Sequence, residues 1–480
     1  SFPAATYPAQ NNVSGTASQG YGNQPEAYRQ APTPYMSPLQ MPPVQTVQAN
    51  SMNMSDAGGS GRAAWDAPPA PQLQRRTAGP GGLQREIDEL RADRAGWFGA
   101  GALWRGRNGD SGTSELTDFS TAIEGRFPFG QGGHLVLRLE PVFLSAGRIS
   151  STDFNASQQF GSNALAIVGG GVGTTREQQD SGVAISVGYE NARLKLDLGS
   201  TPLGFQVANF VGGVSYNDSF GDLKLKLDVS RRPITDSLLS YAGTVDDVTG
   251  RTWGGVVATG GRVEIGVEQG RFGLFGYGGL HALTGKNVVS NNRFEIGGGA
   301  YYKVVQDTDM EFTAGVSVTA LGYKRNLRYF TLGHGGYFSP QRYFSLALPL
   351  ELAGRYGKMA YKLDGSIGIQ NFRENSAAYF PGDATQQANW ETVAAANSVA
   401  APTGVTYRSF YPSQSKSGLG FRLGAEAEYQ FAPQWLVGGK VAIDNASSYT
   451  QTSGLVYVKY SFDPIYTATK FPVKTMKVGQ

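Results

Sequence analysis

The sequence predicts an all-β membrane protein: a transmembrane, antiparallel up-and-down β-barrel of about 16 strands, preceded by a disordered N-terminal linker and one short helix. Three observations predict it. From Trp97 onward apolar and polar residues alternate with period two. Tight and long turns alternate along the same stretch. The composition is that of many strands joined by turns, with 66 Gly and 49 Tyr plus Phe in 480 residues and only 16% charged residues.

Residues 1–80 hold twelve of the 24 prolines, with Gln, Ala, Ser and Asn filling most of the rest. Such a segment cannot bury enough apolar surface to offset the entropy of ordering it, which predicts a disordered, Pro/Gln-rich periplasmic linker. Its aromatics, Tyr7, Tyr21, Tyr28, Tyr35 and Trp65, read as isolated linker residues. Residues 81–96 follow as a connector helix, in which Leu83, Ile87 and Leu90 share one face and Arg85, Glu86, Asp88, Glu89 and Arg91 cover the others. That apolar face needs a partner, either the barrel mouth or a preceding helical domain. The chain begins at Ser1 without Met or an apolar leader, and reads as a processed or truncated product.

The barrel is expected over 97–463. Leu223, Leu225, Leu227 and Val229 fall on one face of a strand and Lys224, Lys226, Asp228 and Ser230 on the other. Leu194, Leu196 and Leu198 oppose Arg193, Lys195 and Asp197, and Leu135, Leu137 and Leu139 oppose Arg138 and Glu140. Phe344, Leu346, Leu348, Leu350 and Leu352 make a further apolar face. In a soluble sandwich the leucines would face a core; in a barrel they face lipid, and the charges face a wet lumen. Turn spacing separates the two. Tight connections are expected near Pro128, Asn191, Asp218, Gln269, Gln306, Tyr356 and Phe431. Longer ones are expected near Asn108, 150–179, 200–208, 233–250, 285–291, 325–339, 375–416 and 445–451. Short periplasmic hairpins and long extracellular loops give outer-membrane barrels that parity, and an even strand count returns both termini to the periplasm. No run approaches the roughly 18 apolar residues of a membrane helix, and mean hydropathy is −0.28, a test that alternating strands evade. Residues 464–480, with Lys470, Lys474 and Lys477, form a tail that is either a loose periplasmic end or a plug reaching into the lumen.

A formal charge of +3 is near balance and gives no reason to expect nucleic acid. Zero Cys excludes disulfides and thiolate-bound metals. The three histidines, His134, His281 and His334, are too dispersed for metal-ligand spacing, and no nucleophile and base cluster. No enzyme, metal or cofactor is expected. What remains is a conduit, and a wall of both signs, with Arg138, Glu140, Lys195, Asp197, Lys224, Lys226, Asp228, Glu351, Lys362 and Asp364 lining the lumen, suits a neutral or weakly charged cargo.

Two segments, RNGDSGTSELTDFSTAIEG from Arg107 and GYFSPQRYFSLALPLELAGRYG from Gly336, with QREIDELRADR from Gln84, resemble the outer-membrane barrel of the cellulose synthase operon protein C family. The resemblance covers about 84–463. It implies a sixteen-stranded channel in the bacterial outer membrane that exports a nascent neutral polysaccharide, cellulose, and works with periplasmic and inner-membrane cellulose synthase components. It also implies a tetratricopeptide superhelix before the barrel, of which residues 1–80 show no repeat; the chain is a fragment of a longer precursor or departs from the pattern. The competing readings are a general or sugar-specific porin and an exporter of another exopolysaccharide. A glucan presents apolar C–H faces that suit aromatic rings. Tyr329, Phe330, Tyr337, Phe338 and Tyr343, with Tyr379, Phe380 and Trp390 from the longest loop, are therefore expected to form a track or lid at the exit, or else to pack together or touch lipopolysaccharide.

Overall fold

The computed structural model describes residues 94–480 apart from 131, 151–152, 169–176, 399–406, 447–448, 467–470, 474, 477 and 479–480. The linker over 1–80 and all but the last residues of the 81–96 connector lie outside the described residues.

Sixteen strands form the wall. The first eight are β1 (Trp97–Arg107), β2 (Leu116–Phe129), β3 (Gly133–Gly147), β4 (Gln178–Glu190), β5 (Leu194–Ser200), β6 (Phe210–Phe220), β7 (Leu223–Pro233) and β8 (Thr252–Gln269). The second eight are β9 (Phe272–Lys286), β10 (Val288–Gln306), β11 (Met310–Tyr323), β12 (Arg342–Tyr356), β13 (Met359–Glu374), β14 (Gln414–Ala432), β15 (Trp435–Ala446) and β16 (Tyr449–Ser461). Each pairs antiparallel with the next, and β1 pairs along its length with both β2 and β16, Trp97 lying opposite Arg126 on one side and Ser461 on the other. Closure satisfies backbone groups that lipid could not.

Alternation sets the two faces. Leu137 and Leu139 are exposed while Glu140 is buried; Val229 is 64% exposed while its neighbour Asp228 is 3% exposed. Burying a large apolar side chain is worth roughly 1.5–3 kcal/mol, so an outer wall carrying Leu198, Ile296, Leu348, Ile367, Leu419 and Val456 exposed requires lipid around it. Among the described residues no helix is long and apolar enough to cross a membrane.

All the connections expected to be tight lie at one end. Gly221 and Gly270, at φ +63° and +59°, occupy left-handed turn positions there. Strand β6 runs on to Phe220, so its turn falls at Gly221–Asp222 rather than at Asp218. At the other end two connections expected to be long are tight. Between β9 and β10 stands only Asn287, at φ +51°, and between β15 and β16 only residues 447–448. Asn tolerates the left-handed turn conformation, so GKNVVS closes a hairpin whose strands extend past the apolar belt instead of opening into a loop.

The remaining long connections are folded. Residues 148–177 carry α1 (Phe154–Gln158) and α2 (Asn163–Val168), 234–251 carry α3 (Leu238–Tyr241), and 375–413 carry the fifteen-residue α4 (Ala384–Ser398). Asp383 caps α4, its carboxylate accepting from the Gln386 N–H at 3.0 Å, and Gln387, Trp390 and Ala394 form the buried face. Asp383 followed by an Ala/Gln run is a helix-start signal in the sequence, weakened by the low apolar content of the run.

Candidate functional site

The inward face of the barrel is a lattice of ion pairs. Glu268 accepts from Lys224 and Lys303, each at 2.9 Å, and from the Tyr301 hydroxyl at 2.7 Å. Glu426 stands between Lys362 at 3.4 Å and Lys440 at 2.9 Å. Arg138 pairs with Glu124, Asp197 accepts from Arg232 at 2.6 Å, and Asp364 lies 3.3 Å from Arg422. Asp228 accepts from Ser230 at 2.9 Å, and Glu351 stands in register with Asp364. Lys195 and Lys226 share the faces of Asp197 and Asp228. Along its strand each of these charges alternates with exposed apolar residues. Opposite charges at these distances cancel each other's field over a few ångströms, leaving a hydrated wall with little net pull on an ion.

At the long-loop end the connections fold into the bore. Within 234–251, Leu238, Tyr241 and Ala242 pack on Leu116, Val142, Leu144 and Ala146, which face inward from β2 and β3. Arg105 of β1 donates to Thr235 at 3.4 Å, and Arg107 donates to the Asp236 carbonyl. The Asp236 carboxylate accepts the Phe338 N–H at 3.2 Å, and Ser237 donates to the Gly336 carbonyl at 2.7 Å, joining this segment to 324–341. Complete burial pushes the Asp236 carboxyl upward, against the pull of Arg107, Arg105 and Arg293. The second segment is fixed to the wall by Arg328, whose guanidinium lies 2.6 Å from Glu374, with side chains 4% and 0% exposed. Gln414 of β14 donates to the same carboxylate.

Seven of the eight aromatics fall on the plug connections, in two packed clusters, and Tyr343 stands on β12 of the wall. Tyr337, Phe338 and Tyr343 pack with Leu321, Tyr323 and Phe372 against the wall. Tyr329, Phe330, Tyr379, Phe380 and Trp390 form the outer layer with Phe160, Trp253 and Tyr411. There Tyr411 is sandwiched between Tyr329, at 3.5 Å and 6°, and Tyr379, at 4.6 Å and 8°. Trp390 donates to the Arg408 carbonyl at 2.8 Å, and Tyr379 to the Gln158 carbonyl at 3.2 Å. Ser162 donates from its backbone to Asp246 at 2.9 Å, tying 148–177 to 234–251. Burial raises the Tyr329 hydroxyl to about 12 and pushes those of Tyr337, Tyr379 and Tyr411 up as well. All eight aromatics are 0–6% exposed, packed against one another and their neighbours.

His334 sits in the same layer. Its Nε2 lies 2.9 Å from the Ala378 carbonyl, its ring stands edge-on to Tyr329 and Tyr411, and its buried Nδ1 has no hydrogen-bond partner among the described residues. Burial lowers its pKa to about 4. His281 faces the bore and meets Arg293 at 3.0 Å, while His134 lies near the Arg94 carbonyl at the short-turn end. Among the described residues no group of His, Asp and Glu is arranged to hold a metal.

Asp236, Trp253, Arg328, Glu374 and Tyr411 escaped the sequence reading. Only Asp236 had a local signal, since it precedes the capping box that Ser237 and Ser240 make at the start of α3.

The tail enters at the short-turn end. The Ile465 N–H donates to the Pro433 carbonyl at 2.7 Å, and the Arg355 guanidinium lies 5.7 Å from the Phe471 ring. Met476, 3% exposed, packs among Ala122, Leu455 and Tyr457, with Leu103 and Leu436 beside it, all from inward faces of β1, β2, β15 and β16.

An apolar belt outside, an ion-paired bore inside and antiparallel closure define a membrane-spanning β-barrel of the outer-membrane type. The family model described as cellulose synthase operon protein C C-terminus matches residues 114–463, and the chain belongs to that family. It is 36% identical over 395 residues to cellulose synthase operon protein C of Pseudomonas fluorescens (strain SBW25), covering 81% of this chain and 29% of that protein. To the protein of the same name from Xanthomonas axonopodis pv. citri (strain 306) it is 39% identical over 313 residues, 64% of this chain and 20% of that one. The chain spans less than a third of the length of these curated relatives. Among solved structures it is similar to a bacterial polysaccharide outer membrane secretin, at 9% identity, TM-score 0.44, and 77% and 99% of the two chains covered.

Proposed function

We propose that this barrel is the conduit by which a nascent neutral polysaccharide, cellulose, leaves the cell, and that its folded long connections are the gate. The observation that carries this reading is the combination of a charge-balanced bore with a plug built from loops. A lattice of paired charges hydrates a neutral polymer without binding it, and a plug held by a few buried polar contacts can be displaced without disturbing the wall. Family membership supplies the cargo class and suggests that cellulose synthase components deliver it. The parity of short and long connections supports periplasmic termini and an extracellular plug. Outer-membrane lipids and lipopolysaccharide surround the belt. Conduction and export need no catalytic residue.

In planar bilayers the intact barrel is expected to be almost closed, and a variant lacking residues 380–410 to carry severalfold more open-state current; an unchanged current would remove the plug from the gate. The tail is a second constriction in this reading. Truncating the 380–410 deletion variant after Asp463 is expected to raise its current again, and no further rise would leave the tail lying along the wall without narrowing the bore.

A further inference from the structure

On the outer face of β12, β13 and β14, side chains stand in register rows. Leu346, Ile369 and Leu419 form one apolar row. One step towards the long-loop end come Phe344, Asn371 and Ser417, with the Asn371 amide donating to Ser417 at 2.7 Å. In the next row Arg342 lies directly opposite Arg373. Both are exposed, and neither guanidinium has an ion-pair or hydrogen-bond partner among the described residues. Lys324, also exposed, follows β11 on the adjoining connection.

Like charges directly opposed across a strand pair repel, and two guanidiniums there cost stability unless an anion lies between them. The nearest acid in sequence cannot serve: Glu374 is fully buried and committed to Arg328. At roughly 3.3 Å per residue the arginine row stands about 13 Å beyond the Leu346 row, the height of a headgroup over the first part of its acyl chains.

We infer that this face binds the phosphorylated sugar headgroup of an outer-leaflet glycolipid of the lipopolysaccharide kind. Phosphate sits between the Arg342 and Arg373 forks, sugar hydroxyls and amides meet Asn371 and Ser417, and acyl chains cover the apolar rows. The polar row between charge and belt favours a saccharolipid over a glycerophospholipid, whose ester region has fewer donors to offer. The inference rests on the long-loop end being extracellular.

The test is native mass spectrometry of the detergent-purified chain with bisphosphorylated lipid A, its dephosphorylated form and phosphatidylglycerol. Lipid A is expected to bind best, and R342Q/R373Q to lower its occupancy by about tenfold or more, while R342K/R373K, which keeps the charge and loses the fork, falls between. Heat-dependent gel mobility checks that each variant is folded. Equal lipid A binding by R342Q/R373Q and the parent chain, or phosphatidylglycerol binding as tight as lipid A, would overturn the inference. Detergent solution has no sidedness, so this result is independent of orientation, which protease accessibility of 380–410 on intact cells reads separately.

Discussion

Replacing Glu374 with Ala is expected to unlock the plug while leaving the barrel intact. Its carboxylate is completely buried, 2.6 Å from Arg328, and is the anchor that joins the 324–341 connection to the end of β13. Removing it leaves the guanidinium buried without its carboxylate, a loss of roughly 3–5 kcal/mol when one partner of a buried pair is deleted. That loss falls on the connection rather than on the wall, whose strands keep their ladders. At 1.4 kcal/mol per factor of ten, it shifts the ratio of closed to open plug by roughly a hundredfold or more. Single-channel recording should show long open periods, with heat-dependent gel mobility unchanged. Replacing both partners, as in R328M/E374L, removes the uncompensated charge together with the pair and should restore much of the closure. An Ala variant that stays shut would mean the outer layer closes the mouth without this anchor.

Acid is expected to open the gate through His334. The Ala378 carbonyl fixes the proton of the neutral ring on Nε2, so a second proton would have to go to Nδ1, which has no acceptor among the described residues. The packed plug therefore disfavours the charged ring, and its pKa falls from the usual 6.5 to about 4. A group depressed in the closed state stabilises that state fully above its open-state pKa, and the stabilisation is lost as pH falls through the window from about 6.5 to about 4. The full loss is on the order of 3 kcal/mol. Asp236 acts with the opposite sign, because its carboxyl is pushed upward and is more readily protonated in the closed plug. Open probability should rise as pH is lowered from 7 to 4.5. His334→Gln, which keeps a donor for Ala378 and does not titrate, should flatten the response, and Asp236→Asn should enlarge it. A pH response unchanged in His334→Gln would assign the titration elsewhere.

The wall was legible because its information is local. Alternation in LKLKLDVS at Leu223 or LVLRLE at Leu135 fixes which side chains share a face, and the up-and-down order of the strands fixes which end each connection belongs to. The tight turn at Asn287 departs from the longer connection expected over 285–291 because an Asn-containing polar stretch marks a hairpin and a loop alike. The plug was opaque for a different reason. Its anchors join Arg107 to Asp236, Arg328 to Glu374 and Tyr329 to Tyr411, pairs far apart in sequence whose partners have no periodicity around them. Aromatic enrichment in 329–343 and 379–390 did mark the segments that matter, but not whether the rings would face the bore or each other. In the structure the rings pack against each other. Met476 carries no signal in the sequence, because its contacts with Ala122, Leu455 and Tyr457 join distant positions and no periodicity surrounds it.

The central claim, a gated conduit for a neutral β-linked glucan, is tested most directly on the variant lacking 380–410, which is expected to carry the larger open-state current. Its bilayer current is recorded while cello-oligosaccharides or α-linked glucans of equal length are added on the side of the short turns. The account predicts transient blocks by cello-oligosaccharides that lengthen with chain length, and few or none by the α-linked series. Steady current in the presence of both, or equal block by both, would contradict it and leave a general porin.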